Sequence, residues 1–291
     1  MNTIWSTYVQ SIGTLYLSRR LKFSDRFRAQ YQSVFSIDGG SRILEIGCGP
    51  GALAQSLHRW YPGAQVSGID RDHSFIEFAR ENIPGVSFSE SDATALPFEA
   101  RSFDVTISNT VAEHIDPALF YGEQRRVLKE NGVCLVLSAR KGIHIPAPCI
   151  AAETPWEQAL WQRAEPYFKQ AHQKYHVCAY PQSEAELPRC MEQHGFCEVS
   201  TAYLTIALTP DDPRCPSETA HAIFLANRQN DLDNADRLAQ IARQVVTPDE
   251  IEALKRLICA RYDERLSLYD RGVRQWDTDV SVVMIVRGVK G

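Results

Sequence analysis

The chain has 291 residues, 44% apolar and 23% charged, with a net charge of −5, the make-up of an ordinary globular protein long enough to bury a sizeable core. A negative balance offers no overall basic field to gather phosphate backbones, which disfavours nucleic acid as a partner. No apolar run nears the ~20 residues that cross a bilayer, and Met1–Leu21 is interrupted by Asn2, Ser6, Gln10, Ser11, Ser18 and Arg19-Arg20, so neither a membrane span nor an export signal is expected.

Taken in chain order, Ile4–Tyr31 reads as helical, because Ile4, Trp5, Tyr8, Ile12, Leu15 and Tyr16 recur at three- and four-residue steps. Ser24-Asp25 predicts a break, with a restart before Phe27–Phe35, and Gly39-Gly40 ends this leader. The pattern then alternates. Short apolar strands are predicted at Arg42–Ile46, Gln65–Ile69, Val86–Ser89, Phe103–Ser108 and Val133–Ser138, with helices at Gly51–Trp60 and His73–Glu81 between the first three. A further helix runs from Asp116-Pro117, a good cap and first turn, to Lys129, stopping at Asn131-Gly132. Strands alternating with helices predict a parallel sheet covered on both faces. Beyond Ala139 the regularity fails: residues 141–180 mix prolines with Trp156, Trp161, Tyr167, Phe168, Tyr175 and Tyr180. A helix at Ser183–His194, a strand at Glu198–Leu208, two long helices at Ser217–Val246 and Pro248–Tyr269, and a last strand at Val280–Arg287 complete the chain.

The strongest local signal is Ile43-Leu44-Glu45-Ile46-Gly47-Cys48-Gly49-Pro50-Gly51, a strand ending in a glycine-rich turn that opens a helix. Glycine there accepts positive φ and lets a ligand lie on bare backbone, at the carboxyl end of a strand where open α/β sheets bind ligands. Alone the turn is ambiguous, because Gly47, Gly49 and Ala52 also satisfy a dinucleotide fingerprint. The second strand ends in Gly68-Ile69-Asp70, placing a carboxylate that suits both hydroxyls of a ribose. Ser91-Asp92-Ala93 follows the third strand, Asn109-Thr110-Val111-Ala112-Glu113-His114 the fourth, and Leu128-Lys129-Glu130-Asn131-Gly132-Val133 leads into the fifth.

This ordered set resembles the class I S-adenosylmethionine-dependent methyltransferases, in their small-molecule branch, well over about residues 40–140 and more weakly through Gly195-Phe196 and the last strands. The resemblance implies an α/β fold: a Rossmann-like seven-stranded sheet, mostly parallel with an antiparallel last strand, plus an N-terminal helical lid and helices inserted before the last strand. It implies that Glu45 and the backbone of Gly47, Cys48 and Gly49 hold the amino-acid end of S-adenosylmethionine, that Asp70 binds the ribose hydroxyls and that Arg71 flanks the adenine. Asp92 and Ala93 would hydrogen-bond that adenine, Asn109 and Thr110 would meet the methionine portion, and His114 would lie near the cofactor. The expected organisation is a lid at 1–38, a cofactor-binding core at 39–140, a cap segment at 141–182 and the rest of the sheet at 183–291 with an inserted helical cap at about 214–272.

Methyl transfer needs positioning and exclusion of water more than acid–base chemistry, since the sulfonium supplies the electrophile. If the acceptor needs a base, His114, Tyr16 and His144 are the candidates. The turn Asn109-Thr110-Val111 is not the Asn-Pro-Pro-Tyr type used on nucleobase and amide nitrogens, and Cys134 lies inside a predicted strand, so a small-molecule acceptor is expected. A protein or RNA methyltransferase, an NAD-linked oxidoreductase and a non-catalytic binding module are the alternatives. His172, His176 and Cys178, and Cys190, His194 and Cys197, lie close in sequence without a recognised finger spacing, so no metal is expected. Eight cysteines without a CxxC predict reduced thiols and a cytoplasmic protein.

Overall fold

A computed structural model describes residues 4–147, 150 and 152–291, apart from the side chains of 140–144. Its centre is a seven-stranded sheet of order β3-β2-β1-β4-β5-β7-β6. The strands are β1 Arg42–Ile46, β2 Gln65–Asp70, β3 Ser87–Glu90, β4 Phe103–Asn109, β5 Leu128–Ala147, β6 Phe196–Leu208 and β7 Thr278–Lys290. The pairs among β1 to β5 are parallel, whereas β7 runs antiparallel between β5 and β6. This is the expected sheet.

Alternation along the strands sorts the core into two layers. Ile43, Val105, Ile107, Leu135, Leu137 and Ile285 point to one face; Leu44, Ile46, Val136, Met284 and Val286 point to the other. The first face is covered by helices α2 (Ile12–Lys22), α3 (Arg28–Phe35) and α4 (Ala52–Trp60), through Phe23, Tyr31, Phe35, Leu53, Leu57 and Trp60. The second is covered by α6 (Pro117–Val127) and α8 (Glu186–Gln193), through Phe120, Tyr121, Leu187 and Met191. Helix α1 is the short Ile4–Tyr8, and α5 is His73–Asn82.

Two expectations fail. The helix predicted to reach Lys129 ends at Val127, and Leu128 already pairs with Phe103; Asn131, at φ 60°, forms an irregularity inside β5 instead of the turn before it. Past Ala139 the chain also stays extended to Ala147, because β7 goes on pairing with it from Ser281 to Thr278. The described part of the aromatic stretch is mostly helix α7, Pro155–Lys174, opened by a capping box in which Thr154 and Glu157 satisfy each other's backbone N–H groups. Pro166 sits mid-helix on its exposed side, where the carbonyl it leaves unpaired can meet water.

Helix α7 packs with α9 (Ser217–Ile241) and α10 (Pro248–Asp270) around a third core of Leu160, Ala164, Ala235, Leu238, Ile251, Leu254 and Ile258. Thr247 caps α10 as expected, accepting from Glu250 N–H at 3.3 Å. Arg265 ties this bundle to the sheet: its guanidinium donates to Asp211 at 2.6 Å and to Asp277 at 2.8 Å, and lies 4.2 Å from the Phe224 ring centre. Because Arg265 and Asp211 are 1% exposed, removing the cation strands buried carboxylates. Arg265→Met should lower stability by about 3–5 kcal/mol in urea unfolding, whereas Arg271→Met, at an exposed position, should stay within about 0.5 kcal/mol.

Candidate cofactor site at the carboxyl edge of the sheet

The strand registers bring the expected residues to one line. Ile46 pairs with Ile69 on one side and Ser108 on the other, so the chain leaves β1, β2 and β4 at the same level, and Gly47, Asp70 and Asn109 stand side by side. Above them lies a cavity of about 810 Å³, whose wall contains Glu45, Gly47, Cys48, Gly49, Asp70, Arg71, Asp92, Ala93, Asn109, Thr110 and His114.

Gly47, Gly49 and Gly51 all have positive φ, at 66°, 53° and 84°. A Cβ on Gly47 would come within 2.4 Å of Val111, so this turn needs glycine both for its dihedral and for the close passage of the β4 exit. Cys48 N–H donates to Ile69 O at 2.8 Å, locking the turn to β2. Gly49 N–H donates to Asp70 Oδ2 and Asp72 N–H to Asp70 Oδ1, both at 2.9 Å. These bonds fix the carboxylate, yet burial outweighs them and lifts its pKa to about 6.

Glu45 is 2% exposed, and its Oε2 has no hydrogen-bond partner. Burial pushes its carboxyl well above the usual range, with the Asp70 charge adding to the effect. Asp92 Oδ1 accepts from the Thr94 amide and hydroxyl at 2.8 and 2.7 Å, shaping the turn after β3. Thr110, at φ 55°, donates from Oγ1 to Asn109 O and accepts there from Arg19 Nη2 at 2.9 Å.

Arg19 was not among the expected site residues. It reaches the cavity from the last turn of α2, and burial lowers its pKa against the pull of Glu113 and Glu45. Its sequence signal was slight: Arg19 lies one turn beyond Leu15, which packs against Gly49, on the side of α2 that faces the glycine turn. Trp5 was missed in the same way. Its ring stands 4.7 Å from that of His114, and the Arg71 guanidinium lies 5.9 Å from it. Helix α1 is held there by Asp72, which accepts from the Ser6 amide and hydroxyl at 2.8 and 2.9 Å.

The three acid–base candidates separate. His114 Nδ1 accepts from Cys178 N–H at 2.8 Å, so the neutral ring carries its proton on Nε2 and acts there as a donor. Tyr16 is outside the cavity wall: its hydroxyl donates to Gln55 at 3.2 Å and its ring packs on Phe78. The side chain of His144 lies outside the described residues. Among the described residues no group of His, Cys, Asp and Glu is placed to hold a metal ion, and no helix is long and apolar enough to cross a membrane.

Residues 44–136 match the family described as methyltransferase domain. A fatty-acid O-methyltransferase of Mycolicibacterium smegmatis is 37% identical over 125 residues, 42% of this chain and 42% of that protein. A probable phthiotriol/phenolphthiotriol dimycocerosates methyltransferase of Mycobacterium ulcerans is 36% identical over 42% of this chain and 45% of its own. The matched region therefore spans less than half of these curated relatives. Phosphoethanolamine N-methyltransferase 2 of Haemonchus contortus, solved with S-adenosyl-L-methionine, superposes with a TM-score of 0.53 at 16% identity, over 99% of this chain and 59% of that one. A putative methyltransferase of Bacillus halodurans does so with a TM-score of 0.50 at 18% identity, over 90% of this chain and 98% of that one; at such identities the likeness concerns the fold. Residues 44–136 thus carry a methyltransferase domain, and this match favours the methyltransferase reading of the glycine turn over the dinucleotide one.

Gly47→Ala tests the turn directly. A left-handed Cβ carries a strain of about 1–2 kcal/mol, before Val111 is displaced, so the melting temperature should fall by several degrees, given roughly 2–4 °C per kcal/mol at this size. Binding of S-adenosylhomocysteine should weaken with it.

Proposed function

We propose that this chain is an enzyme that transfers the methyl group of S-adenosylmethionine to a small, lipid-like acceptor by in-line displacement. One observation carries the reading: a buried carboxylate oxygen without a partner, Glu45 Oε2, stands in the cavity one strand away from the braced carboxylate of Asp70. An oxygen so placed costs stability until a donor, best a cation, reaches it. The ammonium of a methionine moiety is such a donor, and the ribose hydroxyls suit Asp70.

In this reading Arg19 and the Gly47–Gly49 backbone take the methionine carboxylate, Arg71 and Trp5 flank the adenine, and Asp92 with Ala93 reads its amino edge. The cofactor supplies an activated methyl group; the protein supplies alignment and a dry surface. Trp5, His114 and the segment after α7 close one side, since Cys178 N–H holds His114 and Tyr180 N–H donates to Glu113 O at 2.9 Å. Because His114 Nδ1 already accepts from Cys178 N–H, that nitrogen is not free to act as a base, which favours acceptors whose lone pair is already free at neutral pH.

The lipid-like class is supported by relatives named for fatty acids and phthiotriols, and by apolar wall residues such as Trp5, Val9, Leu15 and Val177. The N-terminal helices as lid and the α7–α9–α10 bundle as cap belong to the same proposal. So does a cytoplasmic location, to which the seven free thiols among the described residues are suited. The net charge argues against a nucleic-acid substrate.

Calorimetry with S-adenosylhomocysteine tests the donor half. The wild-type chain should bind it, and Asp70→Ala should bind roughly 10- to 100-fold more weakly, the worth of hydrogen bonds to a charged group. No binding to the wild type would end the proposal.

The pH dependence has a definite sign. Asp70 has a folded pKa of about 6 against about 3.9 in an unfolded chain. Its contribution to the empty protein is therefore full below about pH 4 and is lost as pH rises through 6. Ligand binding runs the other way, because the ribose needs the ionised carboxylate. Affinity for S-adenosylhomocysteine should rise from pH 5 to 7.5, by up to about tenfold per unit below the pKa, and Asp70→Asn should make the rise shallower by removing one of the two carboxylates. Glu45 faces the same ligand with a pKa raised in the same direction, so a flat wild-type profile would remove both carboxylates from the site.

A further inference from the structure

The donor residues come from the sheet edge, from α1 and from the end of α2, and α9 supplies a further wall of the cavity. Asn230, Asp233, Asn234 and Arg237 line the cavity at i, i+3, i+4 and i+7, a single helical stripe. The other side of this stretch, Ala235 and Leu238, is buried in the third core. Four consecutive stripe positions on this helix are thus polar and face the cavity.

Two of the four can be sorted by their partners. Asp233 is engaged at the start of α2: it accepts from the Ser11 hydroxyl, from the Thr14 amide at 3.2 Å and the Thr14 hydroxyl, and from Gln229 Nε2 at 2.7 Å. Arg237 is not so settled. Its guanidinium lies 5.4 Å from the centre of the Phe168 ring, its Nη1 donates to Asn234 Oδ1 at 3.2 Å, and its Nε is buried with no partner. It makes no ion pair with a described residue, and burial lowers its pKa, opposed by the Asp233 charge.

Helix α2 shows how the two walls relate. Its Thr14 bonds Asp233 on α9, Leu15 lies against Gly49, and Arg19 bonds Thr110. Arg19 therefore serves the methionine end, and Arg237 belongs to the space beyond the glycine turn. At about 810 Å³ the cavity lies near the upper end of the ~300–1,000 Å³ typical of ligand sites, which leaves room for a second ligand beside the donor.

We infer that the α9 stripe is the acceptor subsite and that Arg237 holds a carboxylate borne by an otherwise apolar acceptor, a deeper statement that rests on the methyltransferase reading. A guanidinium backed by an aromatic ring, as Arg237 is by Phe168, can present its remaining N–H groups as a fork, and a carboxylate fills that fork with two parallel bonds. A single guanidinium with the Asp233 carboxylate one helical turn away on the same stripe matches one negative charge better than the two of a phosphate monoester. Asn234 steadies the fork, and Val9 and Val177 give the chain of the acceptor an apolar path.

The test uses the full chain saturated with S-adenosylhomocysteine, titrated by calorimetry with dodecanoate, 1-dodecanol and dodecyl phosphate, each as monomer. The wild type should prefer dodecanoate to dodecanol by about tenfold or more, the scale of a charge-assisted bond, and to dodecyl phosphate as well. Arg237→Gln should bring dodecanoate and dodecanol within about twofold of each other while leaving the affinity for S-adenosylhomocysteine within about twofold, and Arg237→Lys should keep part of the preference. The retained nucleoside affinity shows that the variant is folded. Four results would overturn the inference: no preference for dodecanoate in the wild type, a preference that survives Arg237→Gln, tighter binding of the phosphate, or loss of S-adenosylhomocysteine affinity in Arg237→Gln. The last would move Arg237 to the donor. Failure of the wild type to bind S-adenosylhomocysteine at all is a separate outcome, which removes the methyltransferase reading itself.

Discussion

Two carboxylates at the ends of neighbouring strands, Glu45 and Asp70, set the terms for the rest of the site. Burial works against the charge of both, and the Asp70 charge adds to the difficulty for Glu45. Asp70 is compensated in part by two backbone amides, whereas Glu45 Oε2 has no partner. A sheet edge left like this is electrostatically unfinished, and on the proposed function a cationic amino group together with ribose hydroxyls would complete it. The glycine turn, the register of β1 against β2 and β4, and the positive φ at Gly47 all follow from the need to bring these groups into one cavity without side chains in the way.

What closes that cavity is not part of the sheet. Helix α2 crosses it from Asp233 to Thr110 and is held at both ends by polar bonds, while apolar contact through Leu15 fixes it in the middle. Helix α1 is attached more lightly, by Ser6 on Asp72, by Trp5 on His114 and by Tyr8 stacked on Tyr175 at 5.0 Å. These contacts join the N-terminal helices to the segment after α7, so the two stretches that the sequence left as separate covers meet over one opening. Few of them are apolar core contacts of the kind that hold α4 or α6, and segments held this way are the ones that open at low free-energy cost.

The legible part of the sequence was the part governed by local rules. Strand length, glycine spacing and the carboxylate at the end of β2 identified the sheet edge, and all eleven residues expected at the cofactor line the cavity. Capping chemistry placed the starts of α6 and α10 correctly at Asp116 and Thr247. The failures came where tertiary pairing overrides local preference. Asn131-Gly132 has the chemistry of a turn, but β4 and β7 hold it in the sheet as an irregularity within β5. The prolines from 146 to 166 suggested irregular chain; yet Pro155 occupies a first-turn position, where its missing N–H is harmless, and Pro166 faces outward. The capping box at Thr154 and Glu157 was the available sign of α7.

Arg19 and Arg237 mark a different limit. Each is one arginine on a helix rich in polar residues, and a solvated face is the ordinary explanation of such a position. Only the crossing of α2 over the glycine turn turns Arg19 inward, and only the packing of α9 between α7, α10 and α2 turns the Asn230–Arg237 stripe toward a ligand rather than toward water. The donor wall is written in a motif because backbone geometry at a strand end constrains the residue types. The acceptor wall sits on a helix whose backbone makes no such demand, so its side chains are free to match whatever the reaction requires. A division of this kind lets one sheet edge present the same activated methyl group to different acceptors, with the choice between them resting on the charge and reach of a few residues from α9 and the end of α7.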